Sequence, residues 1–142
     1  MTDQDRSNLV YRWFDRVWCQ GDISAIDEMM APTAIAYGIH DAEGNPVQGP
    51  EGFKPVFQKF RNSFPDIRIT VEDCLVKGDK VAARCLVQGT HTGAGLGVAA
   101  TQSPVKMEGM CIVRIEDNKI MEAWNNFDFM SLYQQVGLVP AL

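Results

Sequence analysis

The chain has 142 residues, of which 46% are hydrophobic and 22% are charged, and its formal net charge at pH 7 is −5. This length and composition fit one globular domain over residues 1–142 and argue against intrinsic disorder. A negative surface repels phosphate backbones, which disfavours nucleic-acid binding. The apolar runs are shorter than the roughly 20 residues that a helix needs to cross a bilayer, so we predict no membrane span.

The N-terminal residues and the cysteines both predict a cytoplasmic protein. Residues 1–5 are acidic and polar, unlike the basic and then apolar start of a secretory signal. The four cysteines form no CxxC pair, which predicts reduced, buried thiols rather than disulfides. Only two histidines occur, far apart in sequence, so we predict no metal site.

Hydrophobic periodicity predicts three helices in the first half of the chain. The first runs over about 4–20 and ends at Gly21, and its apolar stripe contains Trp13. Asp22 is suited to cap a short second helix that Pro32 ends. The third is predicted over about 50–64 and carries a face of phenylalanines.

Alternating patterns predict the strands, which cluster in the second half. They cover about 33–40, 67–77, 81–91, 105–116 and 119–125, and a short helix follows over 128–136. Residues 93–104 are rich in glycine and predict a mobile loop. Helices followed by an antiparallel meander indicate the α+β class, and a curved sheet covered by helices leaves a cavity suited to a ligand.

An ordered set of short motifs gives a family resemblance over residues 5–138. Gly89-Thr90-His91-Thr92-Gly93 ends a strand, and Gly49-Pro50-Glu51-Gly52-Phe53 enters the third helix. The later elements are Arg114-Ile115-Glu116-Asp117, Lys119-Ile120, Glu122, Trp124-Asn125, Asp128 and Gln135-Val136-Gly137. The string resembles the SnoaL-like polyketide cyclase family, the ester cyclase branch of the NTF2-like superfamily.

The resemblance implies a cone-shaped α+β fold, with a curved mixed or antiparallel sheet and about three N-terminal helices around a hydrophobic cavity. It also implies a homodimer or higher oligomer. The well-understood members close a ring by intramolecular aldol condensation with a carboxylate as acid/base, using neither a metal nor an organic cofactor. The superfamily also contains isomerases, hydrolases, cofactor-free hydroxylases and binding modules, so the fold by itself leaves the activity open.

Strand alternation sorts the residues of the last two strands into faces. Cys111 shares a face with its alternate neighbours, and Met121, Ala123 and Asn125 share a face of the final strand. The resemblance implies that these faces line the cavity, with the cyclases' catalytic Asp at Asn125 and their pocket His at Cys111. An amide is not a general base, so the usual proton transfer is lost while a hydrogen-bonding role for Asn125 remains.

Asp128 and His91 are the candidate catalytic residues. Asp128 follows the last strand as the nearest replacement carboxylate, and it is equally placed to cap the final helix. His91 lies in the family-like motif and offers a base or a hydrogen bond to a ligand carbonyl. The alternative for His91 is a structural histidine bonded to backbone at a strand end.

Six residues are candidates for ligand binding. They are Trp13, Tyr37, Arg84, Cys111, Trp124 and Asn125. Aromatic residues at such spacings are commonly core instead. A mid-strand Arg84 needs a partner, and the alternatives are an ion pair with Glu108 or Glu122 and an anchor for a ligand carboxylate.

The first functional hypothesis is a cofactor-independent cyclase or isomerase acting on a hydrophobic, polyketide-like carbonyl compound. The second is a binding module for such a molecule without chemistry, which Asn125 and Cys111 favour. A third is cofactor-free hydroxylation, in which the substrate itself activates oxygen. Met110, Ile112 and Trp124 alternate with the cavity set, and an apolar patch of this kind predicts a homodimer interface.

Overall fold

The computed structural model of the chain describes residues 1–140. The helices are α1 (Asp3–Trp13), which continues as a π-helical segment (Phe14–Cys19), α2 (Ser24–Met29), α3 (Gly49–Ser63) and α4 (Phe129–Gln135). The strands are β1 (Met30–His40), β2 (Pro46–Gln48), β3 (Arg68–Lys77), β4 (Lys80–Thr90), β5 (Pro104–Glu116) and β6 (Lys119–Phe127).

The six strands form one mixed sheet in the order β2-β1-β6-β5-β4-β3. β3, β4, β5 and β6 make an antiparallel meander, because each connection is a tight turn or a single loop. β1 pairs with β6 in parallel, and β2, α3 and the other three strands of the meander separate the two in sequence. The predicted α+β class and the predicted curved sheet with helices on one face are confirmed.

The N-terminal helix forms where its pattern predicts, although its second half is π-helical. Thr2 and Asp5 make a reciprocal capping box at its start. At its end, the Arg61 guanidinium donates to the Trp18 carbonyl at 3.0 Å. Gly21 follows with φ of 68°, the left-handed conformation expected at a helix C-terminus.

The region between α2 and α3 differs from the prediction. β1 begins at Met30 directly after α2, so Pro32 lies within the strand and does not end the helix. β2 occupies residues 46–48, part of which had the composition of a turn, and it pairs with β1 at the sheet edge. Pairing across the sheet is non-local, so a three-residue strand leaves no periodic signal in the sequence.

Bulges interrupt two of the strand pairings, and one of them displaces a predicted face assignment. Between β5 and β6 the register shifts so that Met121 is the extra residue, and Ile120 therefore faces inward in its place. Between β3 and β4 a second register shift leaves Glu72 as an extra residue without a partner on β4.

Among residues 1–140, no helix has the length and apolar character needed to cross a membrane.

Candidate functional site

A central cavity of about 100 Å³ lies between the inner face of the sheet and the helices. One water requires only about 10–15 Å³ on this measure, so the cavity has room for an organic molecule. Its wall is overwhelmingly apolar. The lining residues include Trp13, Trp18, Phe53, Phe60, Gln88, Cys111, Ala123, Asn125, Phe127 and Phe129.

Aromatic rings from two helical segments build the wall opposite the sheet. Trp13 contacts Phe53 with ring centroids 5.3 Å apart, and Trp18 lies 5.7 Å from Phe57. The N-terminal helix supplies Trp13 from the end of α1 and Trp18 from its π-helical segment. This helix and α3 each have an apolar face directed at the sheet. Phe129 extends the cluster from α4, 5.9 Å from Phe60. The wall is therefore built of aromatic rings in mutual contact, which suits an apolar ligand.

Asn125 is the best-defined polar group of the cavity wall. Its Nδ2 donates to the Tyr37 carbonyl at 2.9 Å. That carbonyl is accessible because pairing of β1 with β6 ends at Tyr37 and Trp124, and Gly38 then turns the chain with φ of 82°. The sequence predicted that Asn125 shares the cavity face, and the side chain lines the cavity.

Cys111 lies directly opposite Asn125 on the neighbouring strand and also lines the cavity. Interaction with the neighbouring Cys85 thiol, together with burial, raises the pKa of Cys111. Cys111 is therefore a neutral thiol, not a nucleophile. The four cysteines are free, and two of them, Cys85 and Cys111, are buried as predicted, whereas Cys19 and Cys74 are only half-buried.

His91 lies at the base of the loop between β4 and β5 and outside the cavity wall. It is fully buried against Phe64, with ring centroids 5.4 Å apart. Its Nδ1 accepts from the Thr101 backbone N–H at 3.2 Å, and its backbone bonds to Gln102 and Ser103 across the loop. This arrangement ties the two ends of the loop together, which is the structural alternative considered for this residue.

Asp128 caps α4 and is exposed. Its carboxylate accepts from the Ser131 backbone N–H at 3.1 Å, and its own N–H donates to the Glu108 carbonyl. It borders a shallow groove on the outer face of the sheet, together with Arg84 and Glu108. The structure therefore does not bring Asp128 and His91 together with Asn125 in the cavity.

Three other candidate ligand-binding residues lie away from the cavity wall. Tyr37 stacks on Trp124 on the outer face, with ring centroids 5.9 Å apart. Arg84 is half exposed and pairs with Glu72 at 3.7 Å, so the predicted partners Glu108 and Glu122 are wrong. The reason is the β3 bulge, which places Glu72 beside Arg84. Of the predicted ligand contacts, Trp13, Cys111 and Asn125 line the cavity.

Several lining residues lay outside the sequence-based candidate set, including Gln88, Phe127 and Phe129. Gly109 explains how Phe127 reaches the cavity wall. A Cβ at Gly109 would stand 2.2 Å from the Phe127 ring, so the ring crosses the neighbouring strand only because Gly109 has no side chain.

Within residues 1–140, no cluster of three or more His, Cys, Asp or Glu side chains is arranged to hold a metal ion.

Comparisons with known proteins agree with this architecture. A model of the SnoaL-like polyketide cyclase family matches residues 8–136. IdmH from Streptomyces antibioticus, a proposed polyketide cyclase, is 32% identical with a TM-score of 0.80, covering 93% of this chain and 98% of its own. AclR from Streptomyces galilaeus, a proposed hydroxylase, is 26% identical with a TM-score of 0.84, covering 99% and 86%.

A third similar structure is a proposed polyketide cyclase from Bacillus cereus, 30% identical with a TM-score of 0.79, covering 95% of this chain and 82% of its own. No curated protein sequence matches the chain. The family match spans nearly the whole chain, and the motif string, the curved sheet and the apolar cavity all agree with it. The chain belongs to the SnoaL-like polyketide cyclase family and has its NTF2-like α+β fold.

Proposed function

We propose that the protein binds an apolar, polyketide-like carbonyl compound in the central cavity and promotes its cyclisation or isomerisation without a cofactor. The observation that carries this proposal is the aromatic cavity with Asn125 and Cys111 facing each other in its wall. Holding a flexible chain in a folded shape brings its reacting carbons together, and confinement of this kind supplies much of the rate of an intramolecular reaction.

In this proposal the substrate provides most of its own reactivity. Asn125 is an amide and Cys111 a neutral thiol, so the wall around them offers hydrogen bonds and no strong base. A delocalised polycarbonyl substrate forms an enol readily, and a fixed amide beside it favours one tautomer and one conformation. The acid/base roles of Asp128 and His91 stay a prediction, and they require proton transfer from outside the cavity wall.

Binding is tested first, because Trp13 and Trp18 in the wall report occupancy through their fluorescence. Ala123→Phe adds a ring inside the cavity and is expected to abolish binding of an aromatic ketone. Thr70→Phe adds the same ring on an exposed position of β3 and serves as the matched control. Equal binding by both variants would place the ligand site elsewhere.

Turnover separates the cyclase from a binding module. A linear aryl diketone able to close by intramolecular aldol condensation is incubated with the protein, and the product is quantified by chromatography. More than one product molecule per protein molecule supports the enzyme. Tight binding of every candidate with unchanged ligand favours the second hypothesis, a non-catalytic carrier, which the cavity's neutral wall also fits.

The similarity to AclR favours a second reaction class, cofactor-free hydroxylation. In that case an electron-rich aromatic substrate reacts directly with oxygen inside the cavity. Oxygen consumption that depends on both protein and substrate distinguishes this reaction from ring closure, which consumes no oxygen.

We also propose a homodimer through the outer face of the sheet. One row of apolar residues crosses five strands there, and its members are Tyr37, Trp124, Ile112, Ala82 and Leu75. Ile112 is 44% exposed and Leu75 67% exposed. A continuous apolar face of this kind is typical of an interface between copies.

Charged residues on either side of this row support the pairing of two copies. Lys77 and Lys80 flank one side, whereas Glu72 and Asp73 flank the other at the same end of the sheet, where Arg84 neutralises one of the two carboxylates. A twofold axis along the row places one copy's lysines over its partner's carboxylates. Ile112→Asp is expected to give a monomer by light scattering, with the exposed helical position Met130→Asp as control; a monomeric parent protein across a dilution series would refute the dimer.

A further inference from the structure

We infer that Asn125 selects ligands that present a hydrogen-bond donor, a hydroxyl or an enol, to its side-chain oxygen. This inference rests on the proposed function, because it names the chemical class of molecule that the central cavity takes. It assigns Asn125 as the specificity-determining residue of the wall.

The orientation of the Asn125 amide follows from its one protein partner. A backbone carbonyl oxygen only accepts hydrogen bonds, so the side-chain atom 2.9 Å from the Tyr37 oxygen is the nitrogen. The oxygen Oδ1 therefore points away from β1. Among the described residues, no donor bonds to Oδ1.

The backbone around Asn125 holds that orientation in place. Gly38 approaches so closely that a Cβ there would stand 1.9 Å from the Asn125 backbone oxygen. This contact keeps the β1 backbone close to Asn125, and with it the Tyr37 carbonyl that accepts from Nδ2. Cys111, opposite on β5, contributes only a weak thiol donor that already contacts Cys85.

The apolar surroundings of Asn125 Oδ1 make its hydrogen bonding matter for the free energy of ligand binding. Most of the wall is aromatic or aliphatic, so a ligand that fills the cavity removes water from Oδ1. An acceptor that loses water without gaining a donor costs free energy, whereas a ligand hydroxyl restores the bond. The second N–H of Asn125 has no acceptor among the described residues, and a ligand hydroxyl oxygen can accept from it. A ligand group that both donates and accepts therefore fits best.

The test compares two ligands of the same ring system by titration calorimetry. 1-Naphthol has a donor at the position where 1-methoxynaphthalene has only an acceptor. The parent protein is expected to bind 1-naphthol about 3- to 10-fold more tightly, the range of one net hydrogen bond. Asn125→Leu, close in size and apolar, is expected to reduce that preference by the same factor.

Asn126→Leu is the matched control, because it makes the same substitution at an exposed position of β6 outside the cavity wall and leaves the Asn125 amide in place. It is expected to keep the preference for 1-naphthol. Equal or tighter binding of 1-methoxynaphthalene by the parent protein overturns the inference, and so does an unchanged preference in a folded Asn125→Leu. Because the parent comparison needs no variant, it decides the matter even if Asn125→Leu does not fold.

The outcomes also separate this inference from the proposed function. If both naphthalenes bind with equal affinity, the cavity is a site for apolar molecules, but Asn125 does not select ligands that carry a hydrogen-bond donor. If neither binds and Ala123→Phe changes nothing with any aromatic ketone, the apolar-ligand function itself is wrong and the inference falls with it.

Discussion

Substitution of Gly38 tests how Asn125 and the Tyr37 carbonyl are held together at the cavity wall. It combines a left-handed backbone, with φ of 82°, and a close approach to the β6 backbone. Gly44 has nearly the same φ, 84°, but nothing lies within 4 Å of where its Cβ would be. Alanine substitution at the two positions therefore separates backbone conformation from steric contact.

The expected magnitudes follow from these two terms. An alanine in the left-handed region costs roughly 1–2 kcal/mol, which is the whole effect expected for Gly44→Ala. At Gly38 the new Cβ would lie 1.9 Å from the backbone oxygen of Asn125, and relieving such overpacking adds roughly 1–3 kcal/mol to the loss of stability. With about 3 °C per kcal/mol for a domain of this size, Tm falls by about 3–6 °C for Gly44→Ala and about 6–15 °C for Gly38→Ala.

Differential scanning calorimetry of the two variants measures the difference. Equal losses of Tm would mean that β1 and β6 are not in close contact at Gly38, and the fixed orientation of the Asn125 amide would lose its support. A larger loss for Gly38→Ala, together with weaker binding of 1-naphthol, supports the coupling of this glycine to the cavity.

Three further predictions concern carboxyl groups. Asp128→Ala is expected to lose about 1 kcal/mol of stability through the missing N-cap, whereas Asp128→Asn keeps the cap; turnover lost in Asp128→Asn at unchanged Tm would show that the carboxylate acts chemically. Asn125→Asp would place a carboxyl beside a backbone carbonyl in an apolar wall, and both surroundings raise the pKa of that carboxyl. The variant should therefore lose stability relative to the parent protein as the pH rises above about 4. Tm profiles of the variant and the parent that run parallel with pH would contradict this prediction. Hydrogen bonds from Ser24 and Arg16 lower the pKa of Asp22 below its ordinary value of 3.8, so the contribution of this carboxylate to stability is present above that pH and is lost on acidification. Asp22→Asn should therefore make Tm fall less steeply as the pH is lowered. An unchanged fall of Tm in acid would refute this role of Asp22.

Local patterns in the sequence determined most of the fold. Apolar residues at helical spacing predicted α1 and α3, and alternation predicted the meander strands to within a few residues. These signals are local, because each depends only on which face of one element is buried. The same alternation predicted that Cys111 and Asn125 share the inner face of the sheet, and both line the cavity.

The tertiary structure decided what those side chains can do. The bulge at Met121, the partner of Arg84 and the close approach of Gly38 all depend on pairing between distant strands. Sequence proximity put His91 in the family-like motif, but loop closure directs its ring toward Thr101. Register across the sheet, which no local pattern encodes, sets the Tyr37 carbonyl beside Asn125 and so gives the cavity its free acceptor.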